Sequence, residues 1–296
     1  MALRVQPQVE PLVGGEPTES FVEIPSAGKP TSAIAEVGLD VDLLDPIQRP
    51  LEGSIPYREA FQLAERGNGR EFPAGFRQWD LHDPDGVLCL AHLAARNGRL
   101  PEDFDQWDIR DRYGRTVAHE AALAGTLPAF FDQWEMVGPT PVYGWCSVAH
   151  AAAWSGHLPE KFDRWELATE DGWTVAHVVA RKGLLPDGFD RWGLADRGGW
   201  TVAHAAAEAG CLPGSFDRWE LAERFSGWTV AHVAAEHDRL PRDFCRWELA
   251  DRYGWSVAHV AADRGRLPEG FDRWDIATPR GYTVAELAAH KSKPRA

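Results

Sequence analysis

Apolar and small residues recur along this chain in two alternating blocks. In the first, Thr229-Val230-Ala231-His232-Val233-Ala234-Ala235, apolar residues fall at i, i+1, i+4 and i+5 and make one stripe of a short helix. Thr229 stands where an N-cap is needed to accept a bond from a free first-turn amide. Gly98, Gly125, Gly156, Gly183, Gly210 and Gly265 close the corresponding segments, where a left-handed residue ends a helix. The second block reads Leu-Pro-x-x-Phe-Asp-x-Trp, as from Leu267 to Trp274. Pro268 suits the first position of a helix, and Phe271 and Trp274, three apart, share one face of it. The two blocks together predict a helix, a turn and a second, shorter helix.

The pair of blocks is a module. Its histidine recurs at His92, His119, His150, His177, His204, His232 and His259, at intervals of 27 to 31 residues. Self-similarity of this period predicts stacked modules rather than one globular core. The fold class expected is all-α, a repeat solenoid of helix-turn-short-helix modules over residues 53–296. Its first module carries Phe61 and its last Glu286 where the others carry histidine, as atypical ends of a stack require.

The first block, with the turn before it, resembles the ankyrin repeat. Asp251, Gly254, Ser256, Val257, Ala258, His259, Ala261, Ala262 and Gly265 stand at the places of that family's recurring pattern. The family's Pro-Leu is Val-Ala here, and the module is about six residues shorter than the ankyrin unit. The resemblance implies an ankyrin-like solenoid with a truncated outer helix, whose hairpin tips and concave face meet partners.

Residues 1–52 fall outside the repeat. They hold seven prolines, and nine carboxylates against Arg4, Lys29 and Arg49, a composition that buries too little surface to order itself. This acidic, proline-rich arm carries Ile34, Val37, Leu39, Leu43, Leu44 and Ile47, enough apolar character to dock on the first repeat or on a partner. Met1 to Val13 holds Arg4, Pro7, Glu10 and Pro11 without an apolar core, so no secretory leader is expected. No apolar run approaches the ~18 residues of a membrane span. Cys89, Cys146, Cys211 and Cys245 fall at four different places of the module with no C-x-x-C pair, which points to a reducing, cytoplasmic setting. The formal charge of −14 disfavours direct binding to nucleic acid and favours a partner with a basic or apolar surface.

The candidate chemistry is that of a surface rather than a pocket. Histidines one module apart would lie ~10 Å from each other, too far to share a metal, so all seven are expected to bond backbone of their own or the adjacent turn. Trp107, Trp134, Trp165, Trp192, Trp219, Trp247 and Trp274, with Trp79, are expected to be core. A second aromatic row follows the turn glycines: Trp145, Trp173, Trp200, Trp228 and Trp255, with Tyr282 ending it and Arg115 beginning it. Such a row serves packing or binding, and both readings stay open. Four extra residues enter between Trp134 and His150, within a segment containing Pro139 and Tyr143, and Trp154 is unique at its position. These join the row as a candidate binding strip, on an insertion that either carries contacts or is a neutral bulge. No nucleophile–base pair, phosphate loop or zinc motif occurs, so neither catalysis nor a cofactor is expected. The function expected is a protein–protein interaction scaffold, adaptor or structural subunit. The alternative is an acidic, nucleic-acid-mimicking inhibitor of a DNA- or RNA-binding protein.

Overall fold

The computed structural model describes residues 55–67, 71–87, 89–140 and 144–291. The chain divides into two units, Met1–Gln48 and Arg49–Ala296, and the described residues all belong to the second. The acidic arm expected over residues 1–52 lies outside them.

Nine helices are found among the described residues: α1 (Tyr57–Arg66), α2 (Leu90–Arg96), α3 (Val117–Ala124), α4 (Val148–Ser155), α5 (Val175–Arg181), α6 (Val202–Ala209), α7 (Val230–Glu236), α8 (Val257–Arg264) and α9 (Val284–Lys291). Each packs on the next in chain order, from α1 against α2 to α8 against α9. The alanines make this close packing possible. In α6, Ala203, Ala205, Ala206 and Ala207 are all completely buried, so both flanks of one helix meet neighbours. A short helix with contacts on two sides draws its stability from packing, because seven or eight residues cannot sustain a helix alone.

Helix starts are set by a hydroxyl. Thr116, Ser147, Thr174, Thr201, Thr229 and Ser256 each cap a helix by accepting the backbone N–H of the histidine three residues on. In α5 to α8 the histidine Nδ1 accepts the cap residue's own N–H in return, a capping box with imidazole in the usual place of a carboxylate. Helix ends use left-handed glycine, as at Gly125 (φ 73°) after α3. After α7 the left-handed place, held by Gly98 and Gly183 in other modules, falls to Asp238 at φ 60°.

Two features differ from the all-α expectation. First, the Leu-Pro-x-x-Phe-Asp-x-Trp block is not a helix but two successive turns. Phe104 N–H bonds Pro101 C=O at 3.0 Å and Ile109 N–H bonds Gln106 C=O at 3.3 Å, with no helical continuation between them. One helical turn fixes several dihedrals for a single hydrogen bond. Burying both rings against neighbouring modules is worth more. Second, the inserted segment forms an antiparallel ribbon of β1 (Val137–Thr140) and β2 (Gly144–Ser147), pairing Val137 with Ser147, Gly138 with Cys146, Pro139 with Trp145 and Thr140 with Gly144.

The core therefore has two parallel components. One is the column of Ala/Val helix faces. The other is a continuous file of rings, Phe76-Trp79-Phe104-Trp107-Phe131-Trp134-Phe162-Trp165-Phe189-Trp192-Phe216-Trp219-Phe244-Trp247-Phe271-Trp274. Within a module the Phe and Trp centroids are 4.8–5.2 Å apart. Between modules they are 5.3–5.7 Å apart. Every step is edge-to-face, the arrangement that ring quadrupoles favour.

Candidate interaction surface

The seven histidines join each module to the next. His92, His119, His150, His177, His204, His232 and His259 point Nε2 at backbone carbonyls of Arg115, Cys146, Trp173, Trp200, Trp228, Trp255 and Tyr282, at 2.8–3.1 Å. A carbonyl only accepts, so Nε2 carries the proton. In the neutral ring Nδ1 is then an acceptor. It takes the cap hydroxyl at 2.7 Å in six modules. In the first histidine module Cys89 occupies the cap position, and His92 Nδ1 is left buried without a hydrogen-bond partner.

Burial disfavours the imidazolium at all seven positions and lowers each pKa. His150 and His204 are carried down from 6.5 to about 4. These side chains are neutral cross-links, with both nitrogens committed in every one but His92. Among the described residues no cluster of three or more His, Cys, Asp or Glu side chains is placed to hold a metal ion.

Of the Phe-Asp-x-Trp tryptophans, Trp79, Trp107, Trp134 and Trp219 are buried and Trp165, Trp192 and Trp247 partly buried, while Trp274 is 42% exposed. In the second row Trp173, Trp200, Trp228 and Trp255 are half-buried, each lying against the imidazole of its own module at 4.6–5.7 Å. Tyr282 is exposed.

Trp145 does not belong to that row. Its module has one extra residue in the turn, so Cys146 fills the equivalent place. Cys146 is buried and supplies the carbonyl that His119 bonds. Strand residues alternate between faces, so Trp145 is turned to the opposite side of the ribbon and is 65% exposed. Pro139, its cross-strand partner, is half-buried beside Gly114. Tyr143 lies outside the described residues. Trp154 is half-buried in α4, 6.1 Å from His150. The strip proposed from sequence is thus split between half-buried rings over the histidines, the exposed Trp145 on the ribbon and the exposed Tyr282.

At the first place of the row, Arg115 stands in for tryptophan, and the helix behind it answers with buried Glu120. Arg115 reaches Glu120 at 2.8 Å and Asp111 at 3.1 Å, and Arg96 reaches Glu120 at 2.5 Å. A carboxylate at this depth is tolerable because two guanidiniums face it.

Sequence reasoning missed the turn tips. Tyr113, Phe225 and Tyr253 are 63%, 72% and 70% exposed, and Arg112, Arg224 and Arg252 beside them are exposed as well. The carboxylates of the same turns face inward. Asp251 accepts the N–H groups of Tyr253 and Trp255 at 2.8 and 2.9 Å, and Glu223 accepts those of Phe225 and Gly227 at 2.6 and 2.7 Å. Successive tips are bonded directly: Arg197 N–H to Asp171 C=O, Arg224 N–H to Gly198 C=O and Arg252 N–H to Ser226 C=O, at 2.8–3.1 Å. The signal was present, since Asp-Arg-Tyr-Gly occurs at both 111–114 and 251–254. On a chain of net charge −14 the outward groups at these tips are cationic and aromatic.

A ladder of ion pairs runs beside the ring file. At four of the five late tryptophans the preceding arginine meets the glutamate after the tryptophan of the module before: Arg164 with Glu135, Arg191 with Glu166, Arg246 with Glu220 and Arg273 with Glu248. All are largely exposed and contribute register more than stability. No helix among the described residues is long and apolar enough to cross a membrane. Comparison with protein-family models and with curated proteins finds no match to this chain.

Proposed function

We propose that the chain is an ankyrin-like repeat solenoid acting as a protein–protein interaction scaffold or adaptor, with no catalytic role, in a reducing, cytoplasmic setting. One observation carries this reading. The histidines and ring-file residues that recur from module to module are engaged in contacts inside the stack, whereas large aromatic rings are left outward at only some modules, Tyr113, Phe225 and Tyr253 at three turn tips and Trp145 on the ribbon. Aromatic and arginine side chains are those that dominate binding energy at interfaces. A surface carried on a bonded frame of tips is preorganised, so little ordering cost accompanies docking.

The test is partner capture by the intact chain and by a variant with Trp145, Phe225 and Tyr253 all replaced by serine. All three are exposed, so circular dichroism should be unchanged. A partner retained by the parent and lost by the variant supports the proposal, and equal recovery refutes it. Capture of a nucleic-acid-binding protein whose grip collapses as salt rises would favour the acidic-mimic alternative. The pairing of Glu135, Glu166, Glu220 and Glu248 with arginine weighs against it, because those carboxylates do not form a bare anionic row.

A further inference from the structure

The Arg–Glu ladder is broken at one rung. Arg218 occupies the arginine place of its module, but the residue 25 positions before it, where Arg191 finds Glu166 and Arg273 finds Glu248, is Gly193. Arg218 is exposed and forms no ion pair among the described residues. A Cβ placed on Gly193 would meet nothing within 4 Å.

Gly193 also borders a shallow depression, which is lined besides by Ala195, Gly199, Ala222, Arg224 and Arg252. Small residues make up most of its lining, with two arginines among them, and the Arg252 guanidinium donates to the Phe225 carbonyl at 3.2 Å. Glu223 and Asp251 also border it, but their carboxylates are engaged by the turn N–H groups. Phe225 and Tyr253 stand exposed on the adjoining tips, and a Cβ on Gly198 would lie 3.5 Å from the Phe225 ring. The site offers positive charge, open space at one specific point and apolar rings beside it.

Resting on the scaffold reading, we propose that this depression is the docking site for an acidic, extended segment of a partner protein. One of its carboxylates takes the place vacated at residue 193 and pairs with Arg218. Neighbouring acidic groups meet Arg224 and Arg252, and interspersed apolar side chains lie on Phe225 and Tyr253. Charge complementarity selects this occupant. The strong net negative charge of the chain repels polyanions from most of its surface, and here an arginine without an ion-pair partner among the described residues lets a short acidic segment gain contacts.

The probe is a fluorescein-labelled polyglutamate peptide titrated with the full chain by anisotropy at low salt, with a single-stranded DNA oligonucleotide in parallel. Arg218→Gln should weaken peptide binding roughly tenfold, the effect of one charge-assisted contact. Gly193→Glu should weaken it at least as much, since its own carboxylate completes the rung and occupies Arg218. This second variant adds a side chain into open space, so a urea melt should show it no less stable than the parent. Equal peptide affinity in the parent and both variants overturns the proposal, as does absence of peptide binding or preference for the oligonucleotide. None of those results bears on partner capture through the aromatic tips, which tests the scaffold reading separately.

Discussion

Acidification should dismantle this structure in a window set by its histidines. At about pH 7.5 the imidazoles are neutral whether the chain is folded or unfolded, and the cross-links contribute in full. In the unfolded chain a histidine takes up its proton near 6.5. In the fold, His150 and His204 resist it down to about 4 because burial disfavours the charge. The unfolded state therefore binds more protons between those limits, and stability falls as pH is lowered through them. At about pH 5, a group with these two values loses about 2 kcal/mol relative to neutral pH, so the pair together loses about 4 kcal/mol. The other five histidines shift in the same direction and add to the loss. Against a typical domain stability of about 5–15 kcal/mol this is a large fraction. Protonation also has a geometric consequence. In α6, Nδ1 of His204 accepts the backbone N–H of Thr201 at 3.1 Å, and a protonated Nδ1 would face that donor with a second donor. The assay is urea unfolding followed by far-ultraviolet circular dichroism and tryptophan fluorescence at several pH values between about 7.5 and 5, above the range in which most carboxylates titrate. The midpoint should fall steadily with pH while the denaturant slope stays constant. An unchanged midpoint across that range, or a rise on acidification, would refute the account of the histidines as buried, neutral cross-links.

Four substitutions probe other features. Cys89→Thr gives His92 Nδ1 the hydroxyl that the other six modules supply and adds a proper cap to α2, so it should stabilise by about 1 kcal/mol; a lower urea midpoint would contradict this. Asp238→Gly relieves a left-handed backbone at φ 60° and should raise stability by roughly 0.5–1 kcal/mol, measured in the same melts. Trp219→Ala removes a buried link of the ring file and should cost about 3–5 kcal/mol. By contrast Arg246→Ala, which breaks one exposed rung, should cost less than about 1 kcal/mol, and reversal of that order would mean that the charges rather than the rings hold the modules together.

Much of the architecture was legible in one dimension. The recurrence of histidine announced modules. Threonine or serine three residues before it announced helix starts, and glycine after it announced helix ends. Each of these signals acts over a few residues, within a single turn of backbone, so sequence spacing is enough to read it. The Leu-Pro-x-x-Phe-Asp-x-Trp block misled because its local signs, a proline and two apolar residues three apart, are also those of a helix. What decides its conformation is the ring of the next module, as when Trp247 receives Phe271 at 5.3 Å.

The same limit applied to the surface. Trp145 and Trp173 both follow a turn glycine in the sequence, yet one is exposed on a ribbon and the other lies half-buried on an imidazole, because one extra residue reverses which side of a strand faces inward. The carbonyl partners of the histidines lie 23 to 27 residues away in the following module. The unanswered rung at Gly193 acquires meaning only when Arg218 is placed opposite it. Composition and periodicity thus determined what each module is made of and how it begins and ends. Tertiary packing decided which rings and charges were used up between modules and which remained outward, since that depends on contacts made across a whole repeat.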